Sequence, residues 1–335
     1  MDKPNEIKIN LKLLLGNLVM LIGIIAFVML FSKFFGEENT LVGVAVITAM
    51  LMFKSINISL KCREAILAII FSFIYMGLAS YISRLNAFIG IPINFILVFI
   101  VIYLFTNEMK TKAYLPFILC YVFLEGNPIS SDQLMSRIIG LLVGSILIAF
   151  IYYTSHKNSD DKNHLTVSEM ISTIKTNSLQ FNFALRMAIG LTIAMFIGVT
   201  FDFSKSMWIS ITVMSLTQPH YYQTKERIKQ RIVGTMIGSI LFLVLFEFLV
   251  PPKSSYLVLL IISYVYTFIK KYPMQIIFVT LNSLGAAMLL FDTFVSIPMR
   301  ITFVLVGAVI AFMVNKIIYA SYASIETITM PEKIL

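Results

Sequence analysis

The residues in this sequence that are best able to do chemistry are cations set in apolar surroundings. Arg186 lies inside an apolar run, and Arg231 begins another one just after Lys225, Arg227 and Lys229. A charge inside a membrane segment is costly unless it is paired or faces water. Several cations at one pore mouth also raise the local concentration of anions. We therefore predict that Arg186 and Arg231 attract an anion, although basic loops also arise from membrane topology alone.

Further hydrogen-bonding groups lie at a break between two apolar runs. Thr217, Gln218 and His220 surround Pro219 at this break. Because proline lacks the N–H that a helix needs, it leaves neighbouring backbone groups without their usual partners. We predict that Thr217, Gln218 and His220 bind a substrate carboxylate. His220 is also a candidate proton carrier, with an ordinary solvated loop histidine as the alternative.

Four other residues are weaker candidates. Trp208 is the only tryptophan, and it either stacks on an aromatic substrate or anchors the chain at the membrane interface. Thr280 and Asn282 form a polar patch inside an apolar run, which either lines a substrate cavity or joins two helices. Glu247 lies near the end of an apolar run and is a candidate for proton coupling, with a simple interface position as the alternative.

Signatures of soluble enzymes are absent from the sequence. It contains no P-loop, no His-Glu-x-x-His and no dinucleotide-binding fingerprint. Its two cysteines, Cys62 and Cys120, do not have the spacing of metal ligands or of a disulfide framework. We predict no catalytic residues, no metal, no cofactor and no nucleic-acid partner, so the protein is not expected to be an enzyme.

The composition indicates a protein whose solvent is lipid. Hydrophobic residues make up 59% of the 335 residues, and the mean hydropathy is +0.89. Charged residues make up only 13%, against about 25% in an average soluble domain. So much apolar surface cannot be buried in a soluble core of this size. The sequence predicts an all-α integral membrane protein.

The sequence contains twelve apolar runs, and a polar segment separates them into two groups of six. Residues 1–154 and 181–335 each contain six runs, and the polar segment 155–180 is predicted to be a cytoplasmic linker. Two six-helix halves with the same direction would form a parallel repeat. The runs are Leu13–Phe35, Leu41–Phe53, Ala65–Ile82, Phe88–Thr106, Tyr114–Leu124, Ile138–Thr154, Phe181–Val199, Met207–Leu216, Ile232–Val250, Tyr256–Ile269, Met274–Phe291 and Ile301–Tyr319.

The basic residues predict the orientation of these spans. Most of them fall in alternate loops, and positive loops are usually cytoplasmic. This rule places both termini in the cytoplasm. It also places Arg137 and Arg300, which begin the last span of each half, near the outer side. We expect both side chains to reach toward the membrane surface, with binding of a departing anion as the alternative.

The second run of each half is too short to cross a membrane alone. Leu41–Phe53 and Met207–Leu216 each lead into a polar, basic segment, whereas a spanning helix needs about 20 residues. Paired short or interrupted segments at matching positions point to a transport site. The alternative is that both helices continue into the cytoplasm as amphipathic extensions.

One region has the order of motifs seen in a known family. Arg186-Met-Ala-Ile-Gly-Leu is followed by Met207-Trp-Ile-Ser-Ile-Thr-Val, by Thr217-Gln-Pro-His, and by Arg231-Ile-Val-Gly-Thr-Met-Ile-Gly238. This order resembles the fusaric acid resistance (FUSC) and aromatic acid exporter family, which is related to plant aluminium-activated malate channels. The first half lacks these motifs. Many family members also carry a large cytoplasmic domain, where this chain has only the linker.

The resemblance implies a multi-pass protein of the inner membrane that moves organic anions, typically aromatic carboxylates, outward. We expect an exporter of small organic anions, driven by the proton gradient, with its site between the two halves. An anion channel and a non-transporting membrane scaffold are the alternatives. The expected partners are a small organic anion and the lipid bilayer, and self-association into a homo-oligomer stays open.

Overall fold

The computed structural model describes residues 11–158, 164–172, 174–288 and 290–320. Within these ranges the chain is helical, and the linker contributes one short helix. The α-helices are α1 Leu11–Phe35, α2 Thr40–Phe53, α3 Cys62–Ser83, α4 Ala87–Phe105, α5 Leu115–Gly126, α6 Leu134–His156, α7 Val167–Ser172, α8 Leu179–Thr200, α9 Met207–Leu216, α10 Tyr221–Leu243, α11 Ser255–Tyr266, α12 Tyr272–Ala287 and α13 Thr293–Ala320. A π-helical segment, Val244–Leu249, extends α10.

The prediction of twelve membrane spans in two six-span halves is wrong. Each predicted run does form a helix, but only seven helices in the described ranges are long and apolar enough to cross a membrane: α1, α3, α4, α6, α8, α10 with its π-helical extension, and α13. Helices α2, α5, α9, α11 and α12 have 10 to 16 residues, against the roughly 20 needed.

The error has a physical cause. An apolar run is equally suited to lipid and to a protein interior, so periodicity alone does not separate the two. Most residues of α5 and α9 are buried by other helices. These short helices are therefore apolar because protein surrounds them.

Helices in corresponding positions of the two parts of the chain make corresponding contacts. Helix α3 packs on α6 as α10 packs on α13, and α2 packs on α6 as α9 packs on α13. Between the parts, α4 packs along α8 and α5 touches α9. These contacts agree with a division into 1–154 and 181–335, which stays a prediction.

The linker is tied to the first part of the chain. Leu165 pairs with Leu60 as an isolated parallel bridge, and the Val167 N–H donates to Glu64 Oε2 at 3.0 Å. Residues 159–163 and 173 of the predicted linker lie outside the described residues. So do residues 1–10 and 321–335, on which the predicted cytoplasmic location of the termini depends.

The interiors of the two parts differ in chemistry. In the first, buried aromatic rings from α2, α3, α4, α5 and α6 fill the space between the helices: Phe53, Phe73, Phe105, Phe117 and Tyr152. The rings of Phe105 and Phe117 stack with centroids 3.9 Å apart. In the second, the buried face of α10 is mainly polar and small. A path for a polar solute is therefore to be sought in the second part.

Candidate functional site

The break between α9 and α10 is held open by a buried arginine. Helix α9 ends at Leu216, Thr217 is extended, and Pro219 follows, as expected because proline disfavours helix in the residue before it. The Arg186 guanidinium donates to the carbonyls of Gln218 at 3.0 Å and Pro219 at 2.5 Å. Both carbonyls lie between the two helices, and buried backbone carbonyls outside helices need such donors. Arg186 is thus placed to fix the shape of the break.

Polar side chains complete the break. Arg186 also donates to Asn315 Oδ1 of α13 at 2.8 Å, and the Asn315 amide donates to Thr217 Oγ1 at 3.3 Å. The Gln218 N–H reaches Thr224 Oγ1 at 3.3 Å. The structure therefore brings together three of the predicted binding residues, Arg186, Thr217 and Gln218, in one network.

A cavity of about 870 Å³ opens at this break. Gln218, Pro219 and His220 line it, together with the loop between α4 and α5. The loop contributes Lys110 and Lys112.

The charges around the cavity are mixed, with cations in excess. Lys110, Lys112 and Arg227 face Glu108 and Glu226. Burial lowers the pKa of Lys112, and the nearby Arg227 charge lowers it further. An anion entering the cavity would relieve the repulsion between these two cations.

A tyrosine connects the cavity with Arg231. Tyr272 lines the cavity, and its ring centroid lies 4.4 Å from the Arg227 guanidinium carbon. The Tyr272 hydroxyl is 3.1 Å from Ser215 Oγ, which accepts from Arg231 Nη1 at 3.3 Å. Arg231 is 2% exposed. Its Nε and Nη2 atoms have no hydrogen-bond partner among the residues that the structure describes.

One face of α10 continues inward from Arg231. Thr235 and Ser239 follow at four-residue intervals, so the three side chains lie on one face of the helix and cover about 12 Å. Both hydroxyls are buried and have no hydrogen-bond partner. Buried Ser and Thr in helices usually bond to the carbonyl four residues earlier, as Thr280 does to Ile276. The unpartnered groups on α10 therefore form a polar surface without a protein partner.

A second buried arginine lies near the far end of this surface. Arg300 of α13 is 1% exposed, and its Nε has no hydrogen-bond partner. Its guanidinium carbon lies 4.8 Å from the centre of the Trp208 ring. The charges of Arg300 and Arg231 are close enough to repel each other. Among the described residues, neither arginine has a carboxylate within 4.0 Å.

We call Arg231, Thr235, Ser239 and Arg300 the arginine track. Aromatic rings close its Arg300 end. The ring centroids of Trp208 and Phe303 lie 6.5 Å apart, and those of Phe203 and Phe303 lie 5.3 Å apart. Trp208 is buried, so it does not sit at a lipid–water surface in this structure. Lys110, Lys112 and Arg227 lie at the cavity. Because positive segments are usually cytoplasmic, we predict that the cavity faces the cytoplasm and the aromatic end faces outward.

The remaining predicted residues lie apart from the track. Thr280 is buried where α10 packs on α12, and an added Cβ at Gly238 would lie 2.8 Å from the Thr280 Cβ. Asn282 accepts a hydrogen bond from Ser263 of α11 at 3.0 Å. Glu247 is exposed in the π-helical segment. His220 lines the cavity, with its ring 5.9 Å from that of Tyr222. Their binding roles stay predictions.

Two residues of the track, Thr235 and Ser239, are not among the residues predicted from the sequence, although their spacing from Arg231 marks one helical face. For Arg300, a position reaching toward the membrane surface was predicted, with binding of a departing anion as the alternative, and the structure shows the side chain buried. Its partner Trp208 lies 92 positions earlier in the chain, and no local pattern predicts that contact.

Comparisons with known proteins agree with the resemblance. Residues 193–314 match the fusaric acid resistance protein-like family, and this region includes the whole arginine track. The inner membrane protein YccS of Escherichia coli is 32% identical over 149 residues, which cover 43% of this chain and 20% of YccS. No solved structure matches the chain.

Two other relatives are uncharacterized. One, from Haemophilus influenzae, is 27% identical over 150 residues, which cover 44% of this chain and 21% of the relative. The protein ORF2 of Neisseria gonorrhoeae is 26% identical over 208 residues, with 56% and 49% covered. The chain thus spans half or less of the length of these relatives. It is a multi-pass protein of the inner membrane whose residues 193–314 are similar to the fusaric acid resistance protein-like family.

Proposed function

We propose that this protein exports small organic anions through its second part, along the arginine track. The observation that carries the proposal is the pair Arg231 and Arg300, two buried arginines that repel each other and that have no carboxylate partner within the described part of the chain. The domain at 193–314 supports the same class of function.

The energetics of burial favour an anionic ligand. An unpaired buried charge has an effective penalty of several kcal/mol, and two like charges add their mutual repulsion. A carboxylate bound between the guanidinium groups would accept hydrogen bonds from the free Arg231 Nε and Nη2 and Arg300 Nε atoms. Charge-assisted bonds of this kind are among the strongest in proteins. The track is therefore suited to a transient ligand with a negative charge.

The cavity gives such a ligand a way in. Its volume of about 870 Å³ lies within the range of small-molecule sites, roughly 300–1,000 Å³. Lys112 and Arg227 would attract an anion there, and Tyr272 and Ser215 lead from the cavity to Arg231. Trp208 and Phe303 near Arg300 offer aromatic surface, which favours aromatic carboxylates among small organic anions.

The closed aromatic end favours alternating access over an open pore. A cavity on one side and buried Trp208 and Phe303 on the other correspond to an inward-facing transporter. An anion channel is the second candidate. It is favoured by the lack of a described carboxylate next to either arginine, since the track itself then has no acidic group to carry a proton.

Flux in proteoliposomes tests the proposal. Uptake of benzoate is followed with and without an imposed pH gradient, while current is recorded. Saturable flux that depends on the pH gradient and falls in Arg231→Met is the expected result. Current that follows the anion gradient and ignores pH would establish the channel instead. No flux of any tested organic anion would refute both.

A further inference from the structure

A buried carboxyl group lies outside the arginine track, at the end of α5. Glu125 is 4% exposed. Its Oε1 atom accepts a short hydrogen bond from the Ser83 hydroxyl, whereas Oε2 is buried and has no hydrogen-bond partner. No described cation lies within 4.0 Å of either oxygen. A buried carboxylate without a cation is very unfavourable, and such groups take up a proton instead. The geometry therefore fits a neutral carboxyl with its proton on Oε2.

A polar chain extends from this carboxyl group into the first part of the molecule. Tyr121 lies one helical turn before Glu125 on α5, and the two side chains interact. The Tyr121 hydroxyl donates to Asn94 Oδ1 of α4. Cys120, the other titratable group of α5, is buried. The chain Ser83–Glu125–Tyr121–Asn94 is a connected polar group inside the first part of the molecule.

The helices packed against α5 add few titratable groups. Helices α2 and α9 contain no titratable residue. The titratable residue of α4 is Tyr103, nine positions along the helix from Asn94. At the end of α3 that lies near Glu125, the titratable residues are Tyr81, in the last turn, and Arg84, just after the helix. The nearest charge from α6 is Arg137, which donates to the Asn127 carbonyl at 2.8 Å.

Arg84 is placed to receive the carboxylate when the proton leaves. Its guanidinium donates to the backbone carbonyl of Glu125 at 2.8 Å, so a side-chain rotation would bring it to the carboxylate. Arg84 and Arg137 line a cavity of about 170 Å³ beside Leu124. This cavity is large enough to hold water, and it lies beside Leu124, the residue before Glu125. The surroundings thus support both a protonated, buried state and an ionised state paired with Arg84.

A close backbone contact connects this group with the closed end of the track. An added Cβ at Gly126 would lie only 2.4 Å from the Met207 Cβ, so α5 and α9 touch directly beside Glu125. The residue after Met207 is Trp208, which covers Arg300. A movement of the end of α5 that exposes Glu125 would therefore push on the residue next to the aromatic closure.

From these contacts we propose that Glu125 is the proton-binding group that couples the proton gradient to anion export. The inference rests on the proposed function. The only bond that forms and breaks is the O–H bond at Oε2, and the proton is exchanged with water through the cavity at Arg84. Binding of the anion to the track and of the proton to Glu125 would oppose each other, and this coupling must be reciprocal.

Two measurements on the full chain test the proposal. Infrared difference spectroscopy of the purified protein should show a protonated-carboxyl band that is lost on addition of benzoate, and Glu125→Gln should lack this band. In proteoliposomes, one proton coupled across one pH unit supports up to about tenfold benzoate accumulation. Glu125→Gln should abolish this accumulation while benzoate exchange at equal pH continues. Glu37→Gln, at an exposed carboxyl to which no role is assigned, is the matched control and should retain both.

The outcomes separate this proposal from the proposed function. Accumulation driven by pH in Glu125→Gln, or a benzoate-sensitive band that persists in it, would overturn the role of Glu125. Absence of benzoate binding and flux in the wild type would overturn the proposed function and with it the coupling, whatever the infrared band shows. If the Gln variant does not fold, Glu125→Asp decides. It keeps a carboxyl group and should retain accumulation with a shifted pH profile, and an unchanged profile would contradict the proposal.

Discussion

Replacement of Arg231 by methionine should weaken anion binding without destabilising the protein. The guanidinium of Arg231 donates to Ser215 and interacts with the Tyr272 hydroxyl, whereas its Nε and Nη2 atoms have no hydrogen-bond partner among the described residues. Methionine fills a similar volume and has no charge to bury. Exchanging buried ionic groups for well-packed apolar ones is often neutral or stabilising, by about 1–4 kcal/mol. We expect the melting temperature without ligand to stay the same or rise.

The effect on affinity follows from the bonds that the ligand would lose. A hydrogen bond to a charged group contributes about 1.5–3 kcal/mol, which corresponds to about 10- to 150-fold in affinity. Two unit charges 4 Å apart attract by about 4 kcal/mol at an effective dielectric constant of about 20, so a loss of roughly 1,000-fold is the upper bound. Isothermal titration calorimetry with benzoate in detergent measures this change.

Arg137→Met is the matched control. Arg137 is equally buried, at 2% exposure, but its guanidinium donates to Asn39 Oδ1 and to the carbonyls of Glu38 and Asn127 at 2.8–2.9 Å. Removing it leaves these acceptors unsatisfied, at about 1–3 kcal/mol for each one that stays buried. We expect Arg137→Met to lower the melting temperature and to leave benzoate affinity unchanged.

The pair of variants can refute the reasoning. If Arg231→Met destabilises the protein as much as Arg137→Met and binds benzoate with wild-type affinity, Arg231 is a structural residue. The arginine track would then have no role in binding.

Three further predictions test separate parts of the account. Burial and the charge of Arg227 lower the pKa of Lys112, so its positive charge is present below that pKa and lost above it. Benzoate affinity should therefore fall as the pH rises through a range below the pKa of an ordinary lysine. Calorimetry of Lys112→Gln should show no such fall. Gly238→Ala places a Cβ 2.8 Å from the Thr280 Cβ and 2.9 Å from the Ile277 carbonyl oxygen. This overpacking of the α10–α12 contact should destabilise the protein by about 1–3 kcal/mol, which thermal melting measures. Gly16→Ala, whose added Cβ would have no atom within 4 Å, should melt as the wild type. Trp208→Ala removes the ring that covers Arg300 and should produce a benzoate current that needs no pH gradient; silent proteoliposomes would show that Trp208 does not close the path.

Much of the helix layout could be predicted because each apolar run is long enough to form a helix. Leu13–Phe35 and Phe181–Val199, for example, correspond to α1 and α8. Which helices cross the membrane could not be predicted in the same way. Helix α9 is as apolar as a lipid-facing helix, but protein encloses it.

The candidate site was predictable only where its residues are close in the chain. Thr217 and Gln218 surround a proline, and the break that they indicate is present. The pairing of Arg300 with Trp208 depends on how α13 packs beside α9. Glu125 directly follows the apolar run Tyr114–Leu124, and no local pattern indicates that its side chain is buried. Its burial results from the contact of α5 with α3, which brings Ser83 to its carboxyl group.

The most direct test of the account is the position of a bound anion. Crystals or frozen particles of the protein with bromobenzoate would locate the bromine atom and the carboxylate. The account predicts the carboxylate between the guanidinium groups of Arg231 and Arg300, and its loss in Arg231→Met. A bromobenzoate bound elsewhere, with both arginines unchanged, would contradict the central claim.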